Sequence, residues 1–116
     1  MNKPVLSIEV RMAAPSVAVL DIAGDVTGFG EEVLMDAYNR AVSLGARAIV
    51  LNFTNLQYMN SSGIGLLVTL LIRAQRNHKQ LRAFGLNEHY ENIFDLTRLN
   101  EAIGIHATEQ QALVGA

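Results

Sequence analysis

One stretch limits the fold more than any other. Arg47-Ala48-Ile49-Val50-Leu51-Asn52-Phe53 is apolar almost throughout. A half-buried strand alternates apolar and polar residues, whereas a run apolar at nearly every step is covered on both faces. That is the position of a central strand in a sheet with parallel neighbours. Parallel neighbours need crossover segments, so helical stretches are expected on either side.

The flanking sequence supplies them. Val5 to Arg11 alternates and predicts a half-buried strand, Ala13 to Ser16 a turn with Pro15 as its breaker, and Val17 to Ala23 a second strand, joined as an antiparallel hairpin. Gly24 to Gly28 reads as a loop. Phe29 to Leu44 predicts a helix with Val33, Ala37 and Ala41 in one apolar row and Leu34, Tyr38 and Val42 in the next. Glu31 and Glu32 suit its first turn, and Gly45 a position just past its end. After the central strand, Thr54 to Asn60 reads as a loop and Ile64 to Arg76 as the second helix. Lys79 to Leu86 is the fourth strand, with Leu81 and Ala83 on one face. Asn87 caps a helix from Glu88 to Arg98 whose apolar residues are Ile93, Phe94 and Leu96. Ile103 to His106 is a short last strand. Thr108 and Gln111 have the spacing of a capping box before a terminal helix carrying Ala112, Leu113 and Val114. The expectation is an α/β fold in one domain, residues 1–116, with a mixed sheet of four to five strands, about four helices and right-handed crossovers.

Composition excludes several functions. With no cysteine there is no disulfide framework, thiolate metal site or cysteine nucleophile. A formal charge of −2 lacks the basic footprint that duplex nucleic acid requires. Ile64 to Ile72, the longest apolar run, is broken by Gly65 and Thr69 and falls far short of the ~20 residues of a membrane span. Met1 to Pro4 has no signal-peptide character. The expectation is a cytoplasmic protein without cofactor, metal, nucleic-acid or membrane partner. His78, His89 and His106 show no ligand spacing. Asp21 and Asp25 form either a carboxylate pair or separate strand and loop residues. Gly-x-Ser-x-Gly is absent, and the stretch from Gly24 to Gly30 lacks the lysine of a nucleotide-binding loop. Ser61 as an enzymatic nucleophile would need a base, and no histidine lies near it in sequence. The basic end of the second helix, Arg73, Arg76, His78 and Lys79, is what a helix dipole prefers.

The candidate site is Tyr58-Met59-Asn60-Ser61-Ser62-Gly63-Ile64-Gly65-Leu66-Leu67. Two hydroxyls sit where a strand hands over to a helix, beside N–H groups that favour negative charge. Gly63 and Gly65 let another backbone, a ligand or a partner come close. In the helix, Ile64, Leu67, Val68 and Leu71 are expected to face the core. Leu66, Leu70 and Ile72 lie off that row, so they are either covered by another element or left as an apolar surface for a partner.

The run Val50 to Gly65 resembles the signature of STAS domains, in particular the bacterial anti-sigma-factor antagonists. Gly24-Asp25-Val26, Phe84-Gly85-Leu86 and Ile93-Phe94-Asp95-Leu96-Thr97 extend the resemblance over nearly the whole chain. It implies a non-enzymatic regulator that binds an anti-sigma-factor serine/threonine kinase when unphosphorylated, is switched off by phosphorylation at Ser61, less readily Ser62, and is restored by a serine phosphatase. The implied partner surface is Asp25, Asn60, Ser61, Ser62, Gly63, Leu66, Thr69, Leu70 and Arg73. The resemblance equally admits a STAS scaffold that is not phosphorylated. Asn60 and Asn52 stand where the family usually has aspartate. The oligomeric expectation is a monomer or weak homodimer.

Overall fold

The computed structural model describes residues 5–114; Met1 to Pro4, read above for signal-peptide character, lie outside the described residues. The elements are strands β1 (Ser7–Ala14), β2 (Val17–Val26), β3 (Ala48–Met59), β4 (Gln80–Phe84) and β5 (Gly104–His106). The helices are α1 (Glu31–Ser43), α2 (Ser61–Arg76), α3 (Glu88–Leu96) and α4 (Glu109–Val114). The sheet order is β1-β2-β3-β4-β5. β1 and β2 form the expected antiparallel hairpin, and every later pairing is parallel.

β3 occupies the centre. Ile49 and Leu51 pack into the larger apolar cluster with Leu34 of α1, Leu67 and Leu70 of α2, and Phe94 of α3. Ala48 and Val50 point the other way, into a smaller cluster with Val17, Val19, Phe84 and Ala112 of α4. Burial on both sides is what the uninterrupted apolar run demanded. Phe53 and Phe94 meet edge to face, with ring centroids 6.1 Å apart, which ties α3 to the sheet.

On the second face a line of polar side chains crosses the sheet. The Arg11 guanidinium donates to Asp21 at 2.7 Å and to Glu109 at 2.6 Å. The Asn52 amide donates to Asp21 at 2.8 Å, and its oxygen accepts from the Thr54 hydroxyl at 2.6 Å. Arg82 donates to the carbonyls of Ala112 at 2.9 Å and Leu113 at 3.3 Å. Two arginines therefore hold a helix too short to persist alone. The Arg11 hydrogen bond holds the carboxyls of Asp21 and Glu109 below their ordinary values, against the opposing effect of burial.

Several expectations are corrected. β2 and β3 run on through stretches read as loops: Gly24 pairs with Leu56, Asp25 with Tyr58 and Val26 with Met59, across register shifts. Gly28–Gly30 forms a 3-10 turn before α1. Val33, assigned to the buried face of α1, is exposed, and Met35 is buried instead. Leu96 and Val114, counted among the apolar residues of their helices, are exposed, while Tyr90 is buried in α3. The Asn87 cap forms as expected, accepting from the Tyr90 amide at 3.0 Å. The Thr108 hydroxyl accepts from the Gln111 amide at 3.2 Å, whereas the Gln111 side chain reaches the amide of Ala107 rather than Thr108.

Candidate functional site

The carboxyl ends of β2 and β3 lie side by side, and α2 begins directly after β3. Asn60 is the cap, in extended conformation, its side-chain oxygen accepting from the Gly63 amide at 2.8 Å. Its own amide donates to the Val26 carbonyl at 3.3 Å, and its carbonyl accepts from Ile64 at 3.0 Å. The cap thus needs only an oxygen, which Asn60 supplies without a charge. Tyr90 fixes the strand just before it, its hydroxyl accepting from the Met59 amide at 2.9 Å.

Gly63 explains why strand and helix approach so closely. A Cβ at this position would lie 2.0 Å from the Val26 carbonyl oxygen. Gly65 has open space around the same position, so the two glycines of the motif do different jobs.

Ser61 and Ser62 are the first two residues of α2 and both are exposed. Among the described residues, neither hydroxyl and neither amide of this pair has a protein hydrogen-bond partner. At 100° per residue, Ser61 lies in line with Gly65, Val68 and Ile72, the most solvent-facing row of the helix. Gly28 approaches Ser62 from the turn before α1, with 3.2 Å from its notional Cβ to Ser62 Cβ.

The expected docking face is rotated. Leu66 is 8% exposed and Leu70 0%, so both belong to the core, with Gly63, Leu67 and Ala74 completing that face. Val68, expected inside, is 38% exposed, and Ile72 is 45% exposed. Thr69 and Arg73 are exposed as expected, the Thr69 hydroxyl donating to the Gly65 carbonyl at 3.1 Å. Asp25 is half-buried and borders a groove of about 590 Å³ with Val5, Leu6, Thr27, Phe29 and Val33. It does not join Asp21, which is engaged by Arg11 on the second face of the sheet. Phe29 is fully exposed. Sequence reading missed it, although a large aromatic between Gly28 and Gly30 has no apolar row to join.

No histidine hydrogen-bonds to either serine among the described residues. Nor does any group of three His, Asp or Glu side chains come together there to hold a metal ion. No helix among them is long and apolar enough to cross a membrane.

The profile described as "Mlab, STAS domain" matches residues 10–113. The chain belongs to the STAS domain family. An anti-sigma-B factor antagonist of Staphylococcus aureus is 32% identical over 62 residues, which are 53% of this STAS domain and 57% of that relative. The match thus spans little more than half the relative's length. The fold is shared with the anti-sigma factor antagonist SpoIIAA in its unphosphorylated form, at 19% identity, TM-score 0.73 and coverage of 92% and 93% of the two chains. SpoIIAA from Bacillus has also been solved in its phosphorylated form, with TM-score 0.71, 19% identity and coverage of 93% and 97%. An anti-sigma factor antagonist from Mycobacterium paratuberculosis gives TM-score 0.78 at 16% identity, covering 95% and 92%.

Proposed function

We propose that this STAS domain is a non-enzymatic anti-sigma-factor antagonist. Unmodified, it binds a serine-kinase anti-sigma factor through the Ser61 end of α2; phosphorylated on Ser61, that end lets go. The observation that carries the reading is Ser61 itself, exposed at the first position of a helix and in line with the solvent-facing Val68 and Ile72. The names of the relatives and the two phosphorylation forms of SpoIIAA support it.

The switch follows from charge. Phosphate adds about −1.5 to −2 charges, and screening confines their reach to about 8–10 Å. In the free protein the phosphate meets the unpaired amides of Ser61 and Ser62, a favourable setting of about 0.3–1 kcal/mol. In a complex it would be pressed against the surface that covers Gly65 and Val68, and would lose water. A penalty of ~4 kcal/mol weakens binding about a thousandfold, and desolvating an unpaired charge supplies that readily. A phosphatase resets the cycle. The docking face is Asp25, Asn60 to Gly63, Gly65, Val68, Thr69, Ile72 and Arg73, with Leu66 and Leu70 acting from beneath as core.

The test is intact mass after incubation with the kinase and ATP. Wild type and Ser62→Ala gain one phosphate; Ser61→Ala gains none. An unmodified wild type would instead favour the scaffold reading, which the neutral Asn60 motivates; light scattering would then show concentration-dependent assembly.

A further inference from the structure

Beyond the serine end, α2 carries a second feature. Asn39 of α1 and Thr69, Ile72, Arg73, Arg76 and Asn77 line a groove of about 450 Å³ between the two helices. Arg73 and Arg76 are exposed and take part in no salt bridge; the ion pairs among the described residues join Arg11 to Asp21 and Glu109, and Arg98 to Glu101. Compensation of the helix dipole accounts for their location in the last turn but not for their reach. The carbonyls of Arg73, Ala74 and Gln75 are taken by the amides of Asn77, His78 and Lys79, not by either guanidinium. The groove is also held in shape, because the Asn77 side chain donates to the Tyr38 hydroxyl of α1 at 3.0 Å.

We propose that this groove binds an acidic segment of the partner protein, and that it does so whether or not Ser61 is phosphorylated. The identity of the partner rests on the function proposed above; the chemistry of the segment does not. Two unpaired guanidiniums on a chain of net charge −2 call for carboxylates. Exposed Ile72 beside them calls for one apolar side chain on the same segment. Two arginines on an acidic chain are too few for nucleic acid.

Twelve residues separate Ser61 from Arg73, about 18 Å along the helix at its usual rise. That exceeds two Debye lengths of about 8 Å at physiological salt, so a phosphate on Ser61 barely changes the potential at the groove. The partner surface therefore has one end that switches and one that does not. The second end keeps the partner nearby while the first is modified, raising the effective concentration for rebinding.

The experiment is an NMR titration of the full chain with a synthetic peptide of aspartates and glutamates flanking one leucine. A peptide with lysines in place of the acids and a short duplex DNA serve as separate arms. The acidic peptide should move the Arg73 and Arg76 Nε–H signals and the Ile72 methyls, and should bind more weakly as salt rises. Arg73→Glu with Arg76→Glu should bind about thirtyfold more weakly, the loss of two exposed ion pairs at the upper end of their usual strength. Ser61→Glu should bind as wild type does. Equal binding of the lysine peptide, an unaffected double variant, or tighter binding of DNA at the same signals would overturn the acidic-segment assignment. Loss of binding in Ser61→Glu would overturn its independence from phosphorylation. None of these readings depends on whether a kinase modifies Ser61, so the two proposals fail separately.

Discussion

Gly63→Ala and Gly65→Ala change the same atom, two residues apart in one helix, and should have opposite effects. At Gly63 the new methyl would sit 2.0 Å from the Val26 carbonyl oxygen, 2.7 Å from its carbon and 3.1 Å from Met59 Cγ. Two of those atoms are backbone at the end of β2, so relief requires strand and helix to part. That movement strains the Asn60 amide bond to the same carbonyl. Overpacking of this kind costs about 3 kcal/mol, and the helix preference of Ala over Gly returns about 1 at most. The net loss is about 2 kcal/mol, or about 8 °C in Tm for a domain of this size. At Gly65 the methyl meets no atom within 4 Å, so the helix preference acts alone. That variant should gain about 0.5–1 kcal/mol. Urea unfolding followed by circular dichroism measures both. A Gly63→Ala protein as stable as wild type would refute the close approach of β2 to α2, and a destabilised Gly65→Ala would show that the outer face of the helix is not free.

Asn60→Ala should lose about 1 kcal/mol through the missing cap, whereas Asn60→Asp should keep the cap and gain about 0.3–1 kcal/mol at low salt, both read from urea midpoints. Tyr90→Phe leaves the Met59 amide without its buried acceptor and should cost about 1–3 kcal/mol, with faster amide exchange at Met59 and Asn60 as the local signature. The folded-state pKa values of Asp21 and Glu109 are depressed by Arg11, so their contribution is present above the unfolded values of about 3.9 and 4.3 and is lost as pH falls through the lower folded values. Arg11→Ala should therefore destabilise by about 0.2–1 kcal/mol per exposed pair at pH 7 and much less in strong acid; an equal loss at both pH values would contradict the ion pairs.

What the sequence disclosed follows from how each signal arises. β3 was legible because burial on both faces removes alternation from Ala48 to Leu51. The cap at Asn87 was legible because a side-chain oxygen three residues before a free amide is a local arrangement; the cap at Asn60 was not, because Ser61 and Ser62 offer the same chemistry and the apolar pattern begins only at Ile64. The rotation of α2 was not. Ile64, Leu66, Leu67, Val68, Leu70, Leu71 and Ile72 are all apolar, so more than one face fits the period. The deciding residues are Gly63 and Ala74, small side chains at contact points that no apolar row reveals. The long ends of β2 and β3 were hidden for another reason. Their pairing passes through register shifts, and Gly24, Asp25, Thr54 and Asn55 look like loop residues when each strand is read alone.

The order of the sheet has a consequence for the kind of guest this molecule receives. From β2 to β5 every strand lies next to its successor, so the chain advances across the sheet without turning back. Doubly wound α/β proteins reverse direction midway, and the cleft opened by that reversal is where they hold nucleotides and small metabolites. A sheet laid down in a single direction has no such point of reversal, and the groove beside Asp25 lies instead between the carboxyl end of β2 and the turn before α1. The same edge presents the first turn of α2, where Ser61 and Ser62 stand exposed beside the carboxyl ends of β2 and β3.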